Sequence, residues 1–218
     1  MVTLLVMVFL VFLFCVLIRI PIAFAMGVSI LFASMINDRI PMVIITARMF
    51  AGMDSFPMMA VPFFLLAGNV MNASGMTDRL FVFSNCLVGH LRGGLGHVTV
   101  VASMIVAGMS GSALAEAGGL GIVAIKAMRD RGYDGPFSAA LMASAATIGP
   151  IIPPSIPMIV FGAMVGVSTG KLFLGGIIPG IMMGLSLMTI VYFYAKKHNY
   201  PVEPRAKISQ ILIAFKDA

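Results

Sequence analysis

Two groups of residues have the types and spacing to hold a small ion or an acid. One is Ser110-Gly111-Ser112 with Glu116 a turn further on; the other runs from Thr147 through Gly149-Pro-Ile-Ile152-Pro-Pro154 to Ser155. The first supplies two hydroxyls beside a glycine that permits φ values other residues avoid. In the second, Pro150, Pro153, Pro154 and Pro157 lack an N–H, so several carbonyls around Gly149–Pro154 have no ladder donor. Bare carbonyls with the Thr147 and Ser155 hydroxyls make a hard-oxygen site for a small cation such as Na⁺. Glu116 is a candidate proton or ion group, because carboxylates are costly inside a membrane; an equal alternative is a buried structural partner.

Both groups lie in sequence apolar enough for a bilayer. Sixty per cent of the 218 residues are hydrophobic and ten per cent charged, with a mean hydropathy of +1.07. A soluble domain carries about a quarter charged residues, so this is an integral membrane protein. Broken backbone survives in lipid only where it is buried in protein or lines a polar cavity. Secondary transporters build ion and substrate sites from helices interrupted in this way, using half-helix dipoles and free carbonyls. The bland alternative is that Gly and Ser only let helices pack closely; finding two breaks in one chain argues against it.

The elements that must position these groups follow from the apolar runs. Residues 2–18 form a first crossing, because nothing basic precedes Arg19 and the apolar run resumes, unlike a cleaved leader. Ile22–Ile36 is a second, short crossing, Asn37-Asp-Arg39 a polar turn, and Pro41–Met53 an interfacial helix. Phe56–Met71 is a third crossing, with Asp54-Ser55 as its cap. Thr77–Leu91 is an amphipathic surface helix, and Arg92–His97 a loop. Val98–Gly108 and Ala113–Ala127 are short apolar helices either side of the first break. Pro136–Ile148 and Ser155–Val167 flank the second. After a polar loop at 168–171, Leu172–Ala195 is the last crossing, and a surface tail follows. The chain thus divides into scaffold helices (1–54), a third crossing with a surface arm (55–97), a transport-type core (98–167, hairpin 98–127 and broken helix 136–167), and a last crossing with its tail (168–218).

Charge sets the topology. If Val98–Ala127 enters and leaves from one side, 11 of the 14 Lys and Arg share a face, leaving Arg39, Arg48 and Lys171 opposite. The positive-inside rule therefore favours a re-entrant hairpin with a cytoplasmic base, its tip at Ser110–Ser112, and a periplasmic N-terminus. The net charge of +6 is spread between apolar runs and forms no nucleic-acid patch. Cys15 and Cys86 have no metal or redox spacing, and His90, His97 and His198 are expected at interfaces rather than as ligands.

At these motifs the chain resembles a family. Gly52-Met-Asp-Ser-Phe-Pro57 with Pro62-Phe-Phe-Leu-Leu-Ala-Gly-Asn69, Ser110-Gly-Ser-Ala-Leu-Ala-Glu-Ala117, and Gly149-Pro-Ile-Ile-Pro-Pro-Ser155 are similar to the large membrane subunit of TRAP (tripartite ATP-independent periplasmic) transporters, the DctM-like family. The resemblance covers residues 1 to about 205. It implies an all-α elevator-type carrier in the bacterial inner membrane, importing an organic acid with Na⁺ as coupling ion. A periplasmic binding protein would deliver the substrate, and a small four-helix membrane subunit would complete the scaffold. Carried over by motif, the Na⁺ ligands are carbonyls or hydroxyls of Ser110, Gly149, Ile152 and Pro154, with Thr147 alongside; Gly111, Ser112 and Ser155 would face substrate. Family members are about twice as long and built from two inverted repeats. This chain corresponds to the N-terminal half, with one hairpin, one broken helix and about half of the site.

Two other readings stand beside this one. A channel-like or structural membrane subunit would need no coupling ion. An intramembrane hydrolase using Ser110 or Ser112 would need a base within reach, and Glu116 is the sole nearby candidate.

Overall fold

The computed structural model describes residues 2–37, 41–54, 56–202 and 204–217, and these form twelve helices with no strand among them. Asp38, Arg39 and Ser55, part of the expected turn and cap, lie outside the described residues; Asp54 closes the preceding helix. The chain separates into two compact units, residues 1–55 and 56–218.

The first unit holds α1 (Val2–Leu17), α2 (Ile22–Ile36) and α3 (Met42–Met53). Arg19 takes φ 68 and Pro21 opens α2, so the chain reverses within a few residues. Ala25, Ser29 and Ala33 fall one turn apart and are the buried stripe of α2, the small-residue seam that lets membrane helices approach. The Ser29 hydroxyl donates back to the Ala25 carbonyl at 2.6 Å, so no polar group is left over in the seam. Leu5, Phe9, Phe14 and Leu17 are exposed, as lipid-facing side chains must be. With 16 and 15 residues, α1 and α2 rise about 22–24 Å, short of a hydrocarbon core of about 30 Å.

The second unit is built around α6 (Gly94–Ser110). Its sequence is apolar on every side, and twelve of its residues are buried, as expected of a helix enclosed by others. α4 (Phe56–Ala73) and α5 (Met76–Val88) turn by 73° at Ser74-Gly75, where Gly75 takes φ 76. α5 packs along α6 through Leu80 and Phe81, and α12 (Ile208–Asp217) lies on α5. Phe215 meets Phe83 at 5.6 Å there, and the Arg79 guanidinium donates to the Asp217 carbonyl at 3.2 Å.

After α6 the chain reverses at Gly111 into α7 (Ala113–Gly118) and α8 (Leu120–Asp130). The Thr99 hydroxyl meets Met128 Sδ at 3.8 Å, so the two arms run antiparallel. The expected single helix over 113–127 is in fact two, divided at Gly119, where φ and ψ are −88 and −80. A Cβ at Gly119 would come within 2.6 Å of the Asn72 side chain. The break is therefore imposed by α4 and falls where the sequence has a glycine pair.

α9 (Gly135–Ala146) packs on both arms of this hairpin, and α10 (Ile156–Val165) packs on α4 and α11 (Thr169–His198). α11 is the one helix among the described residues that is long and apolar enough by itself to cross a membrane. Residues 168–171, expected as a loop, are its N-cap and first turn. Likewise the expected loop 92–97 ends at Gly93, and His97 is buried in the first turn of α6 with Nε2 3.2 Å from the Arg92 carbonyl. Gly93 turns at φ 82 hard against Ala195, which starts α6 early. At the same end Phe137 stacks on Tyr194 at 4.1 Å, Tyr133 meets Tyr200 at 4.1 Å, and Tyr200 Oη accepts from the Asp134 N–H at 3.2 Å.

Candidate functional site

Three buried glycines of α11, Gly176, Gly180 and Gly184, stand one turn apart and make a groove. The Ile151 carbonyl lies against Gly176, the Ile152 side chain against Gly180 and Met104 of α6 against Gly184. The segment between α9 and α10 is thereby seated on α11 by the Ile151 carbonyl and the Ile152 side chain. Its other backbone polar groups remain for other partners.

Their hydrogen bonds can be followed one by one. Thr147, Ile148 and Gly149 donate to Ser144, Ala145 and Ala146, tightening the end of α9 to i→i+3 spacing. Ile151 and Ile152 both donate to Ile148. The Ser155 hydroxyl donates to the Pro150 carbonyl and accepts from the Met158 N–H at 3.2 Å, capping α10. Among the described residues nothing donates to the carbonyls of Thr147, Gly149, Ile152, Pro153 or Pro154. At the end of α6 the carbonyls of Gly108, Met109 and Ser110 are also without a donor, as the last carbonyls of a helix are.

The hairpin tip and the break meet backbone to backbone. A Cβ at Gly111 would lie 2.5 Å from the Pro154 carbonyl oxygen and 3.2 Å from the Ile156 nitrogen, and one at Gly108 would lie 3.6 Å from the Pro153 oxygen. Gly111 sits at φ 58. Backbone touches backbone at this point, and only glycine allows both the conformation and the distance. α4 closes the tip from another side, with Gly68 against Ser110.

Of the residues singled out from sequence, Ser110, Gly111, Gly149, Pro154 and Ser155 gather at this junction, while the Ile152 side chain lies on Gly180 of α11. Ser110 is 4% exposed, and its Oγ accepts from the Ser112 N–H at 3.5 Å. Ser112 caps α7, accepting from Ala115 at 3.4 Å. Both serines expected to face substrate, Ser112 and Ser155, are thus helix caps as well. Thr147 stands apart: it is exposed, and its hydroxyl donates to the Ser144 carbonyl at 2.6 Å. Glu116 is 1% exposed and lies against the first residue of the break, where a Cβ at Gly149 would be 2.9 Å from its Oε2. α7 has six residues, so its dipole is weaker than that of the longer helix expected after Ser112. α10, ten residues long and capped by Ser155, presents the stronger positive end.

Sequence reasoning missed Gly68, Asn72, Ser103 and the groove of α11. The glycine spacing 176, 180, 184 is a visible signal of small-residue packing. Ser103, two turns before Ser110 on the same face, is another.

Oxygen ligands suit a small hard cation, and the donor-free carbonyls of tip and break are of that kind. The same junction offers Gly111 and the N-terminus of α10 to an anion. Neither serine hydroxyl of the tip hydrogen-bonds Glu116, whose carboxylate has no partner among the described residues, so no nucleophile–base pair is formed.

The chain is 48% identical over 173 residues to the sialic acid TRAP transporter permease protein SiaT of Haemophilus influenzae, covering 79% of this chain and 28% of that protein. It is 46% identical over 171 residues to the sialic acid TRAP transporter large permease protein SiaM of Vibrio cholerae, covering 78% and 40%. It is 41% identical over 213 residues to the 2,3-diketo-L-gulonate TRAP transporter large permease protein YiaN of Escherichia coli, covering 94% and 49%. The chain therefore spans less than half the length of these relatives. They are permeases and not enzymes, which removes the hydrolase reading. Residues 9–218 match the family described as Tripartite ATP-independent periplasmic transporter, DctM component, and the chain belongs to that family.

Proposed function

We propose that this chain supplies the N-terminal half of the large membrane subunit of a Na⁺-coupled secondary transporter. The transporter imports an organic acid, a carboxylate, across a bacterial inner membrane. A periplasmic binding protein delivers the acid, and a small four-helix membrane subunit with a second half of the permease completes the assembly. The observation that carries the reading is the junction of Gly111 with Pro154–Ile156, where the hairpin tip packs backbone to backbone on a break with carbonyls that lack donors among the described residues. The substrates in the relatives' names, sialic acid and 2,3-diketo-L-gulonate, support the substrate class.

In this reading carbonyls of Ser110, Gly149, Ile152 and Pro154 hold the ion, with Thr147 contributing from the exposed side. Gly111, Ser112 and Ser155 line the substrate side, where the α10 N-terminus favours a carboxylate. An ion bound to both carbonyl sets ties the hairpin tip to the break. Substrate then meets a formed surface, so ion and acid favour each other's binding. Moving the hairpin, break and substrate past a fixed scaffold as one body would give elevator-type transport.

The alternative is a channel-like or structural subunit without ion coupling. Uptake of a radiolabelled carboxylate into liposomes containing the assembled transporter, with and without a Na⁺ gradient, separates the two. Gradient-dependent accumulation is expected. Flux indifferent to Na⁺ would establish the alternative.

A further inference from the structure

Glu116 is among the largest fully buried side chains of the protein, and neither carboxylate oxygen has a hydrogen-bond partner among the described residues. The Ser103 hydroxyl, fully buried on α6, faces that carboxylate. On its other side the carboxylate meets the backbone of Gly149, with Oε2 2.9 Å from where a Cβ would stand. A buried ionised carboxylate with no opposite charge beside it is among the least favourable arrangements a fold can hold. Gly149 contributes one of the backbone carbonyls that lack donors among the described residues, and these carry partial negative charge and no net charge of their own.

We propose that Glu116 is the counter-charge of the cation held between hairpin tip and break, with Ser103 positioned to orient the carboxylate. The proposal rests on the Na⁺ reading above and adds a named residue and an energetic role to it. Carbonyls select the ion by size and geometry; Glu116 supplies the net negative charge that draws a monovalent cation to them. The relation runs both ways. With the ion absent, a charge on Glu116 is unfavourable against Gly149, and with the ion present it favours that packing. Glu116 thereby converts ion binding into closure of the hairpin on the break, a role backbone carbonyls alone could not fill.

The test is radiolabelled-Na⁺ binding together with thermal unfolding of the purified, assembled transporter, each measured in Na⁺ and in choline. Glu116→Gln should weaken Na⁺ binding by about tenfold or more. It should also lose the further rise in unfolding temperature that Na⁺ gives the wild type, with no fall in choline. Ser103→Ala, which keeps the charge, should weaken Na⁺ binding about two- to fivefold, the size of a lost neutral-donor contact. Unchanged Na⁺ affinity in Glu116→Gln would overturn the proposal. So would a lower unfolding temperature by the same amount in both salts, the mark of a merely structural partner. If Glu116→Gln does not fold, unchanged Na⁺ affinity in Ser103→Ala overturns it instead. A wild type that binds no Na⁺ is a different result: it sinks the coupling-ion reading, and this inference with it.

Discussion

Gly149 and Glu116 are packed so closely that a single methyl group at position 149 would stand 2.9 Å from the Glu116 carboxylate and 3.3 Å from the Ala146 carbonyl. Neither neighbour can yield easily, since one is buried and the other is helix backbone. Gly149→Val should therefore displace the break from the hairpin, destabilising the fold by about 1–3 kcal/mol, the usual cost of overpacking. Uptake measured against Na⁺ concentration should show at least about a tenfold loss of apparent Na⁺ affinity, equivalent to about 1.4 kcal/mol. An unchanged rate and affinity would mean that the break is helix punctuation only.

Gly111 makes a sharper test of the junction itself. At φ 58 any other L-residue is strained by about 1–2 kcal/mol, and its Cβ would press on the Pro154 oxygen at 2.5 Å. Gly111→Ala should lower transport strongly. Gly68→Ala, whose Cβ meets Ser110 at an ordinary 3.5 Å, should lower it little. Comparable defects in the two would mean that the tip has no privileged contact with the break.

Ser110 separates carbonyl from hydroxyl ligation. Its Oγ is engaged by the Ser112 N–H, and alanine keeps the backbone carbonyl. Ser110→Ala should change apparent Na⁺ affinity by less than about threefold, within the worth of one neutral hydrogen bond. A loss of a hundredfold in the same Na⁺ titration would make the hydroxyl the ligand.

The divide between α7 and α8 predicts a rescue. Gly119→Ala forces its Cβ onto the Asn72 side chain, which also accepts from the Thr77 hydroxyl at 2.7 Å. Gly119→Ala should destabilise by about 1 kcal/mol or more, and Asn72→Ala should remove part of that penalty in the double variant. A non-additive cycle in thermal or denaturant unfolding is expected for residues in contact. Strict additivity would place them apart.

Sidedness can be read with cysteines. Arg92 precedes α6 and Arg129 lies in the last turn of α8; the antiparallel arms put both at the end of the bundle where Gly93 meets Ala195. Lys171 lies in the first turn of the 30-residue α11, about 40 Å of helix away from Ala195. In cells, cysteines at 92 and 129 should label from the cytoplasmic face and one at 171 from the opposite face. Labelling of 92 and 129 from opposite faces would refute the re-entrant hairpin.

The two breaks were legible because the grammar of Gly, Ser and Pro is local: a missing N–H or a φ of 58 belongs to one residue wherever it sits. The helices of the first unit were legible for the same reason, in apolar runs closed by Pro21 and by a polar turn. What could not be read depends on residues far apart in the chain. Gly119 divides a helix because Asn72 occupies the space beside it, and α6 begins at Gly94 because Ala195 holds Gly93. Ser168–Lys171 looks like a polar loop because a helix end on the surface needs no apolar residues. Glu116 was visible as an oddity, but its neighbour Gly149 was visible only in three dimensions.

The ring cluster at the foot of α9 and α11 also decides what light can report. The chain has four tyrosines and no tryptophan, and Tyr133, Tyr194 and Tyr200 are in that cluster, with Tyr192 on the same last turns of α11. Intrinsic ultraviolet emission from this chain therefore comes from one end of the bundle and is silent about the tip. A tryptophan placed at Leu114, which is 87% exposed in α7, would be the sole indole in the chain. Its emission would give a background-free optical signal from the hairpin tip.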